Sequence, residues 1–157
     1  MLELFTWIND LAVSVAIRES VWFAAVIQAV HLVALGLFAG ALLIVDLRLI
    51  GRGLTDRPVG EVARDAQPWL VASFLGLVVT GVPQLMGNAI REYYSIFFWL
   101  KMIVLVLAFI FTFTVRRKIT LADERTIGRA WSKTVGITSI ALWTFVAVTA
   151  RLIGLFT

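Results

Sequence analysis

Residues 21–45 read VWFAAVIQAVHLVALGLFAGALLIV, and this run decides the fold. Its only strongly polar side chains are those of Gln28 and His31. A helix needs about 20 mainly apolar residues to cross the roughly 30 Å hydrocarbon core of a bilayer. The core helices of soluble proteins carry shorter apolar runs, broken by polar positions. The run therefore predicts a membrane-spanning helix.

Three further apolar runs follow, at about residues 68–87, 96–115 and 135–156. Each approaches or exceeds the length that spans a bilayer. The segments between them are short, which favours antiparallel neighbours. The sequence therefore predicts an all-α integral membrane protein, an up-down four-helix bundle whose transmembrane domain covers residues 20–157.

The composition of the whole chain agrees with this prediction. Of its 157 residues, 61% are hydrophobic and 15% are charged, against about 45–50% and about 25% in globular domains. The chain has no cysteine, which excludes disulfides, thiolate metal sites and cysteine nucleophiles. A single histidine, His31, excludes a His-rich metal site within one subunit. The net charge of +4 comes mostly from connecting segments, a distribution typical of topology signals and not of nucleic-acid binding.

Residues 1–19 differ from the spans because their apolar residues recur at helical spacing among charged ones. These apolar residues are Leu4, Phe5, Ile8, Leu11, Ala12 and Val15. The pattern predicts one amphipathic helix lying in the membrane interface. Glu3 stands where a signal peptide has a basic region, so we do not expect a signal peptide. Ser20 is the expected cap of the first spanning helix.

The distribution of lysine and arginine predicts the orientation. Ten lie in or beside the two long loops, at Arg48, Arg52, Arg57, Arg64, Arg116, Arg117, Lys118, Arg125, Arg129 and Lys133. Four lie toward the opposite side, at Arg18, Arg91, Lys101 and Arg151. Because cytoplasmic loops carry the excess of positive charge, we expect both long loops in the cytoplasm and both termini outside an inner (cytoplasmic) membrane.

Each predicted span also carries one polar stripe. Polar side chains inside a membrane cost free energy and usually face the interior of a bundle. We therefore expect six polar side chains to face a shared interior: Gln28, His31, Thr80, Lys101, Thr144 and Arg151.

The depth of these side chains predicts a binding site. By helix rise, His31 lies roughly 15 Å below the outer end of its span, and Lys101 and Arg151 lie about 8–9 Å below theirs. No carboxylate lies within the spans at that depth, and Glu19 and Glu92 at the outer rim are the nearest candidates. Two cations above one imidazole predict a pocket for an anionic, partly apolar ligand.

Haem b satisfies this description. His31 would be the metal ligand, since neutral histidine is a standard ligand of haem iron. Lys101 and Arg151 would bind the propionates, and Gln28 lies beside His31 in the same stripe. The alternative is that Lys101 and Arg151 extend to the outer interface, while Gln28 or a backbone carbonyl satisfies the imidazole.

Two other patterns have mainly structural interpretations. Gly36 and Gly40 form a GxxxG pair, which predicts close helix packing either within the bundle or in a homo-oligomer. Asp46 at the end of the first span is expected to pair with Arg116 or Arg117 and with loop acids, in an interfacial network of ion pairs.

Several runs of sequence carry a family resemblance. They are Ala16-Ile-Arg-Glu-Ser20, Val30-His-Leu, Asp46-Leu-Arg-Leu-Ile-Gly51, Trp99-Leu-Lys101 and Ala150-Arg-Leu-Ile153. In order and spacing the chain resembles an uncharacterised family of small four-helix bacterial inner-membrane proteins. More distantly, it is similar to the copper-resistance D proteins and to the HemJ-type protoporphyrinogen oxidases, which bind haem. That resemblance implies that His31 and Lys101 are the matching functional positions.

Two classes of function remain open. The first is a haem- or porphyrin-binding redox protein of the membrane. The second is a non-catalytic component, either an oligomeric scaffold or a permeation path lined by the polar stripes. The sequence assigns no residue a catalytic role.

The predicted orientation can be tested by cysteine labelling, because the chain has no cysteine of its own. Cysteines introduced near Arg57 and near Arg125 should resist an impermeant thiol reagent in intact cells. Ready labelling at both positions would overturn the orientation.

Overall fold

The computed structural model describes residues 1–122 and 127–156, with side chains through residue 153. Arg125, one of the loop cations counted above, lies outside the described residues. The described chain is helical and contains no β-strand: α1 Leu2–Asp10, α2 Ala12–Glu19, α3 Val21–Ile50, α4 Val59–Gly87, α5 Ala89–Tyr94, α6 Ile96–Phe111, a π-helical turn Thr112–Arg116, α7 Arg117–Leu121 and α8 Arg129–Phe156.

Four helices of the described chain are long and apolar enough to cross a membrane. They are α3, α4, α8 and the continuous helix Ile96–Leu121, which joins α6, the π turn and α7. The protein is therefore a multi-pass membrane protein with an all-α four-helix bundle, as the sequence predicts. On one side of the bundle, polar turns continue the helices beyond the apolar runs. This side, which contains residues 51–58 and α7, is called here the loop side. The opposite side, with α1, α2 and α5, is called the terminal side.

Local interactions account for the ends of α3. The Ser20 hydroxyl accepts a hydrogen bond from the backbone N–H of Phe23 at 3.2 Å, which confirms the predicted cap. At the other end Gly51 adopts a left-handed φ of 82° and donates to the carbonyls of Arg48 and Leu47. Glycine adopts this conformation without steric cost, and it is a common helix end.

The N-terminal segment is two helices, so the prediction of a single amphipathic helix over residues 1–19 is wrong in this respect. Leu11 adopts an extended conformation, with φ −61° and ψ 139°, and separates α1 from α2. The Ser14 hydroxyl donates to the Ile8 carbonyl at 2.6 Å, and Arg18 donates to the Asn9 carbonyl at 2.9 Å. The Arg18 bond satisfies the Asn9 carbonyl at the end of α1, and the Ile8 carbonyl also accepts from the backbone N–H of Leu11. The break lets α1 pack on α5 while α2 packs on α4.

The tightest packing lies toward the loop side. There α3 packs on both α4 and α8, and α6 packs on α8. The buried cluster there consists of Phe38, Ala41, Leu42, Val45, Val62, Ala66 and Leu70. A second cluster lies on the terminal side and consists of Phe5, Ala89, Phe98 and Ile153. Trp143 lies against Phe38 and Phe109, with ring centroids 4.7 and 5.3 Å apart. Phe74 contacts Phe109 at 5.0 Å and so joins α4 to α6. The first turns of α3, by contrast, are mostly exposed.

A buried ion pair connects three of the four spans. Arg116 Nε donates to Asp46 Oδ1 at 2.7 Å, and the side chains are 7% and 1% exposed. Ser139 donates to Asp46 Oδ2 at 2.6 Å, and a second Arg116 nitrogen donates to the Leu42 carbonyl at 3.2 Å. The expected pairing of Asp46 with Arg116 is confirmed, and the pair is buried within the bundle. The reason is that α3, α8 and the π turn converge on the carboxylate.

Two local features allow this convergence. A Cβ on Gly136 would lie 2.9 Å from the Asp46 carbonyl oxygen, so only glycine lets α8 approach α3 this closely. Ser139 follows one turn later and reaches the carboxylate. The π turn Thr112–Arg116 widens the helix where Arg116 leaves it, and Trp143 donates to Thr112 Oγ1 at 3.1 Å. Such wide turns are rare and recur where a helix must redirect its side chains.

We expect the Asp46–Arg116 pair to dominate the stability of the bundle. Replacing one partner, as in Asp46→Leu or Arg116→Met, should cost about 3–5 kcal/mol because it leaves the other charge buried and unpaired. The double variant should recover most of this loss. Unfolding by SDS titration in mixed micelles measures the effect. Arg117→Met, at the exposed neighbouring position, is the control and should stay within about 0.5 kcal/mol of wild type. Single variants as stable as this control would show that the pair contributes little.

Candidate functional site

The single histidine is held by a hydrogen-bond chain between α3 and α4. His31 Nδ1 lies 2.7 Å from Thr80 Oγ1, and the Thr80 hydroxyl donates to the Gly76 carbonyl at 2.6 Å. A hydroxyl has only one proton to donate. With that proton donated to the Gly76 carbonyl, His31 Nδ1 is assigned as the donor to Thr80. In the neutral imidazole, Nε2 then carries the free lone pair and can accept a proton or bind a metal.

The sequence interpretation named the wrong partner for His31. It offered Gln28 or a backbone carbonyl, whereas the structure places Thr80 there. Small residues of α4 make the contact possible: a Cβ on Gly81 would lie 3.6 Å from His31 Cε1, and one on Gly76 would lie 3.2 Å from Ala34 Cβ. The two helices therefore approach closely, and the imidazole is half-buried between them.

Lys101 adds a positive charge to the site near His31. Its half-buried ammonium is close enough to interact electrostatically with both His31 and Glu92. Glu92 belongs to α5 on the terminal side, and the sequence interpretation had named it as a candidate counter-ion. The carboxylate therefore offsets part of the Lys101 charge.

Three of the six side chains expected in the interior lie elsewhere. Gln28, Thr144 and Arg151 are exposed, so the prediction of a shared interior is wrong for them. The first turns of α3 extend past the tightly packed part of the bundle, which exposes Gln28. Arg151 lies near the end of α8, where a long side chain can extend to the interface. The structure brings His31, Thr80 and Lys101 toward one another, and Gln28 and Arg151 lie at the surface around them.

The structure adds residues that the sequence interpretation did not assign to a site. Gln84 of α4 and Asn88, the residue that follows α4, line a cavity of about 330 Å³ together with Gln28. Gln84 lies one turn after Thr80, and Gln28 lies about one turn before His31. The spacing of Thr80 and Gln84 predicts that they share one face of α4. Which residues of α3 lie beside them depends on how the two helices pack.

The described residues hold no group of three histidine, aspartate or glutamate side chains that could bind a bare metal ion. Haem differs from such an ion because its porphyrin already supplies four nitrogen ligands. One imidazole is enough to anchor it, as in the globins.

A comparison with family models matches residues 6–156 to DUF6644, a family of unknown function. The chain belongs to DUF6644. Searches of curated proteins and of solved structures found no match. Membership of an uncharacterised family is thus confirmed, while the bacterial origin and the similarity to copper-resistance D and HemJ-type proteins stay predictions. The function of this DUF6644 chain has to be argued from its own site.

The Glu92 carboxyl should make stability depend on pH. Burial raises its pKa from the ordinary 4.5, and Lys101 and Arg91 oppose part of that rise. A raised pKa means that the folded state holds the proton more tightly than the unfolded state. The contribution of Glu92 is therefore fully present below pH 4.5 and is lost as pH rises through the folded-state pKa.

Thermal unfolding of wild type and of Glu92→Gln from pH 4 to 8 measures the contribution of Glu92 to stability. The stability of wild type relative to Glu92→Gln should fall as the pH rises, because the amide does not titrate. Glu19→Gln, at an exposed position on the same side, should follow wild type. Parallel curves for wild type and Glu92→Gln would contradict the assignment.

Proposed function

We propose that this DUF6644 protein is a bacterial inner-membrane protein that binds haem b, or another anionic amphiphile, in the outer half of its bundle and has a redox role. The observation that supports the proposal is the chain from His31 through Thr80 to the Gly76 carbonyl. It leaves Nε2 of His31 as the ligand atom. In this proposal both termini lie outside, residues 1–19 lie in the interface, and residues 20–157 form the transmembrane domain.

The residues present fit a haem with one protein ligand. Histidines that bind metals usually donate their second ring N–H to a fixed acceptor, which orients the ring and raises the basicity of the ligand nitrogen. Thr80 does this for His31. When bound, haem would supply one-electron chemistry, and the protein would set its potential through the axial ligand and its surroundings.

Lys101 and Arg151 differ in how they could bind the propionates of a haem. Lys101 is half-buried near His31 and already interacts with Glu92, so a propionate would compete with that carboxylate. Arg151 is exposed and would reach a ligand along the surface of the bundle. Gln28, also exposed, offers amide hydrogen bonds about one turn from His31. We therefore assign Lys101 the larger share in holding an anionic group.

The second candidate is a non-catalytic oligomeric scaffold. A Cβ on Gly36 or Gly40 would meet no atom within 4 Å, so neither glycine is needed for close packing within the described bundle. This leaves the alternative that the sequence offered, a homo-oligomer that packs through Gly36 and Gly40. A permeation or transport role has less support, because three of the polar side chains that would line a path are exposed.

The visible absorption spectrum discriminates between the two candidates. Wild type purified from cells supplied with haem should show a Soret band, and His31→Ala should lose it. Thr80→Val should keep the fold but weaken haem binding about 10–100-fold, because it removes the acceptor that orients the ring. Titration of the apoprotein with haem measures this change.

Thr149→Val is the matched control for Thr80→Val. The buried Thr149 hydroxyl donates to the carbonyls of Phe145 and Val146 in its own helix. Its loss removes a similar hydrogen bond that does not involve His31, and haem affinity should not change. A colourless wild type despite ample haem would remove the redox proposal and favour the scaffold.

A further inference from the structure

The cavity beside Gln84 lies where the terminal-side ends of α2, α3 and α4 meet. It has a volume of about 330 Å³ and is lined by Ile17, Ala24, Ala25, Ile27, Gln28, Gln84 and Asn88. Ala24, Ala25 and Gln28 are also exposed, so the cavity is open to the surface of α3. Its volume is at the lower end of the range for small-molecule sites.

The cavity contains a hydrogen-bond donor without an acceptor. Gln84 Nε2 is buried and has no hydrogen-bond partner among the described residues. The neighbouring Asn88 bonds instead to the backbone of Gln84, whose carbonyl accepts from Asn88 Nδ2 at 3.3 Å. Buried polar groups in native structures are almost always paired, above all in a membrane, where water is scarce. The orphan amide therefore indicates an acceptor that comes from outside the chain.

The lining shows what kind of acceptor fits. Its side chains are apolar or carry amides, and none of them is charged. A phosphate or carboxylate would enter this site without a counter-charge, which is unfavourable in a low-dielectric environment. An uncharged carbonyl oxygen avoids that cost and accepts the N–H of an amide well. The apolar residues Ile17 and Ile27 suit the hydrocarbon part of such a molecule.

We propose that this cavity binds the uncharged carbonyl group of an amphiphile that enters from the bilayer, with Gln84 Nε2 as the main donor and Gln28 as a second donor. A quinone ring and the ester group of a phospholipid share this chemistry. The site is separate from the haem proposal except for Gln28, and it does not depend on a metal at His31.

Binding to the purified full-length protein in dodecyl maltoside tests the proposal with two probes. The first is decylubiquinone. The second is dioleoyl phosphatidylcholine, compared with its ether-linked analogue, which has no ester carbonyls. Thermal unfolding at increasing probe concentration gives the affinity, because a ligand of the folded state raises its stability. At least one probe should bind wild type.

Gln84→Leu keeps the size of the side chain and removes the donor. It should bind the effective probe on the order of tenfold more weakly, as expected for the loss of one hydrogen bond. Without a probe it should be at least as stable as wild type, since an unpaired buried group has been removed. Gln67→Leu, an exposed glutamine at the other end of α4, is the matched control and should bind like wild type. Gln28→Leu, at an exposed position, provides a second variant with the same expected weakening if Gln84→Leu does not fold.

Each outcome decides the proposal. Binding of decylubiquinone that weakens in Gln84→Leu supports a quinone, and a preference for the ester lipid over the ether lipid that weakens in Gln84→Leu supports a phospholipid ester. The proposal is overturned if neither probe binds, if Gln84→Leu binds as wild type does, or if the two lipids act alike and the quinone does not bind. A Soret band reports only on His31, so haem binding can fail while this site stands, and the reverse is also true.

Discussion

A carboxylate buried in an apolar bundle needs protein groups that balance its charge and bond to its lone pairs. Asp46 is such a carboxylate, and the positions of three spans depend on meeting this requirement. Arg116 and Ser139 satisfy its two oxygens, and they come from two different spans. Gly136 has to be small for α8 to come near enough, and the π turn sets the position from which Arg116 extends. The aromatic cluster around Trp143 packs beside this polar cluster and holds the same three spans together.

This constraint makes the two halves of the bundle unequal. Toward the loop side, the ion pair and the buried cluster from Phe38 to Leu70 hold the spans together, and a cavity of about 540 Å³ lies beyond them between the ends of α3, α7 and α8. In the other half α3 is largely exposed, its contact with α4 depends on small residues, and a cavity of about 330 Å³ remains. Among the described residues, Nε2 of His31 has a free lone pair there, and Nε2 of Gln84 and Oγ of Ser95 are buried there without a hydrogen-bond partner. The packing around the ion pair therefore suits stability, and the looser packing around His31 and Gln84 suits binding.

The candidate site could be predicted only in part. His31 and Lys101 stand out because an ionisable group in an apolar run is costly whatever its neighbours are, so the sequence alone identifies them. Thr80 as the acceptor for His31 could not be chosen over Gln28, since the choice depends on which face of α4 packs against α3. Helical periodicity aligns residues along one helix but does not orient one helix against another. The same limit explains why Gln28, Thr144 and Arg151 were placed in the interior and are exposed.

The sequence by itself determined the class of fold, the approximate spans and the Ser20 cap, and it narrowed the pairing partner of Asp46 to two neighbouring arginines, Arg116 and Arg117. These features follow from the length of apolar runs, from local hydrogen bonding and from the scarcity of charges near the spans. Tertiary structure decided the break at Leu11, the burial of Asp46, the hydrogen bond between His31 and Thr80 and the unpartnered amide of Gln84. Each of these depends on the distance between side chains that are far apart in the chain, and that distance is set only when the helices pack.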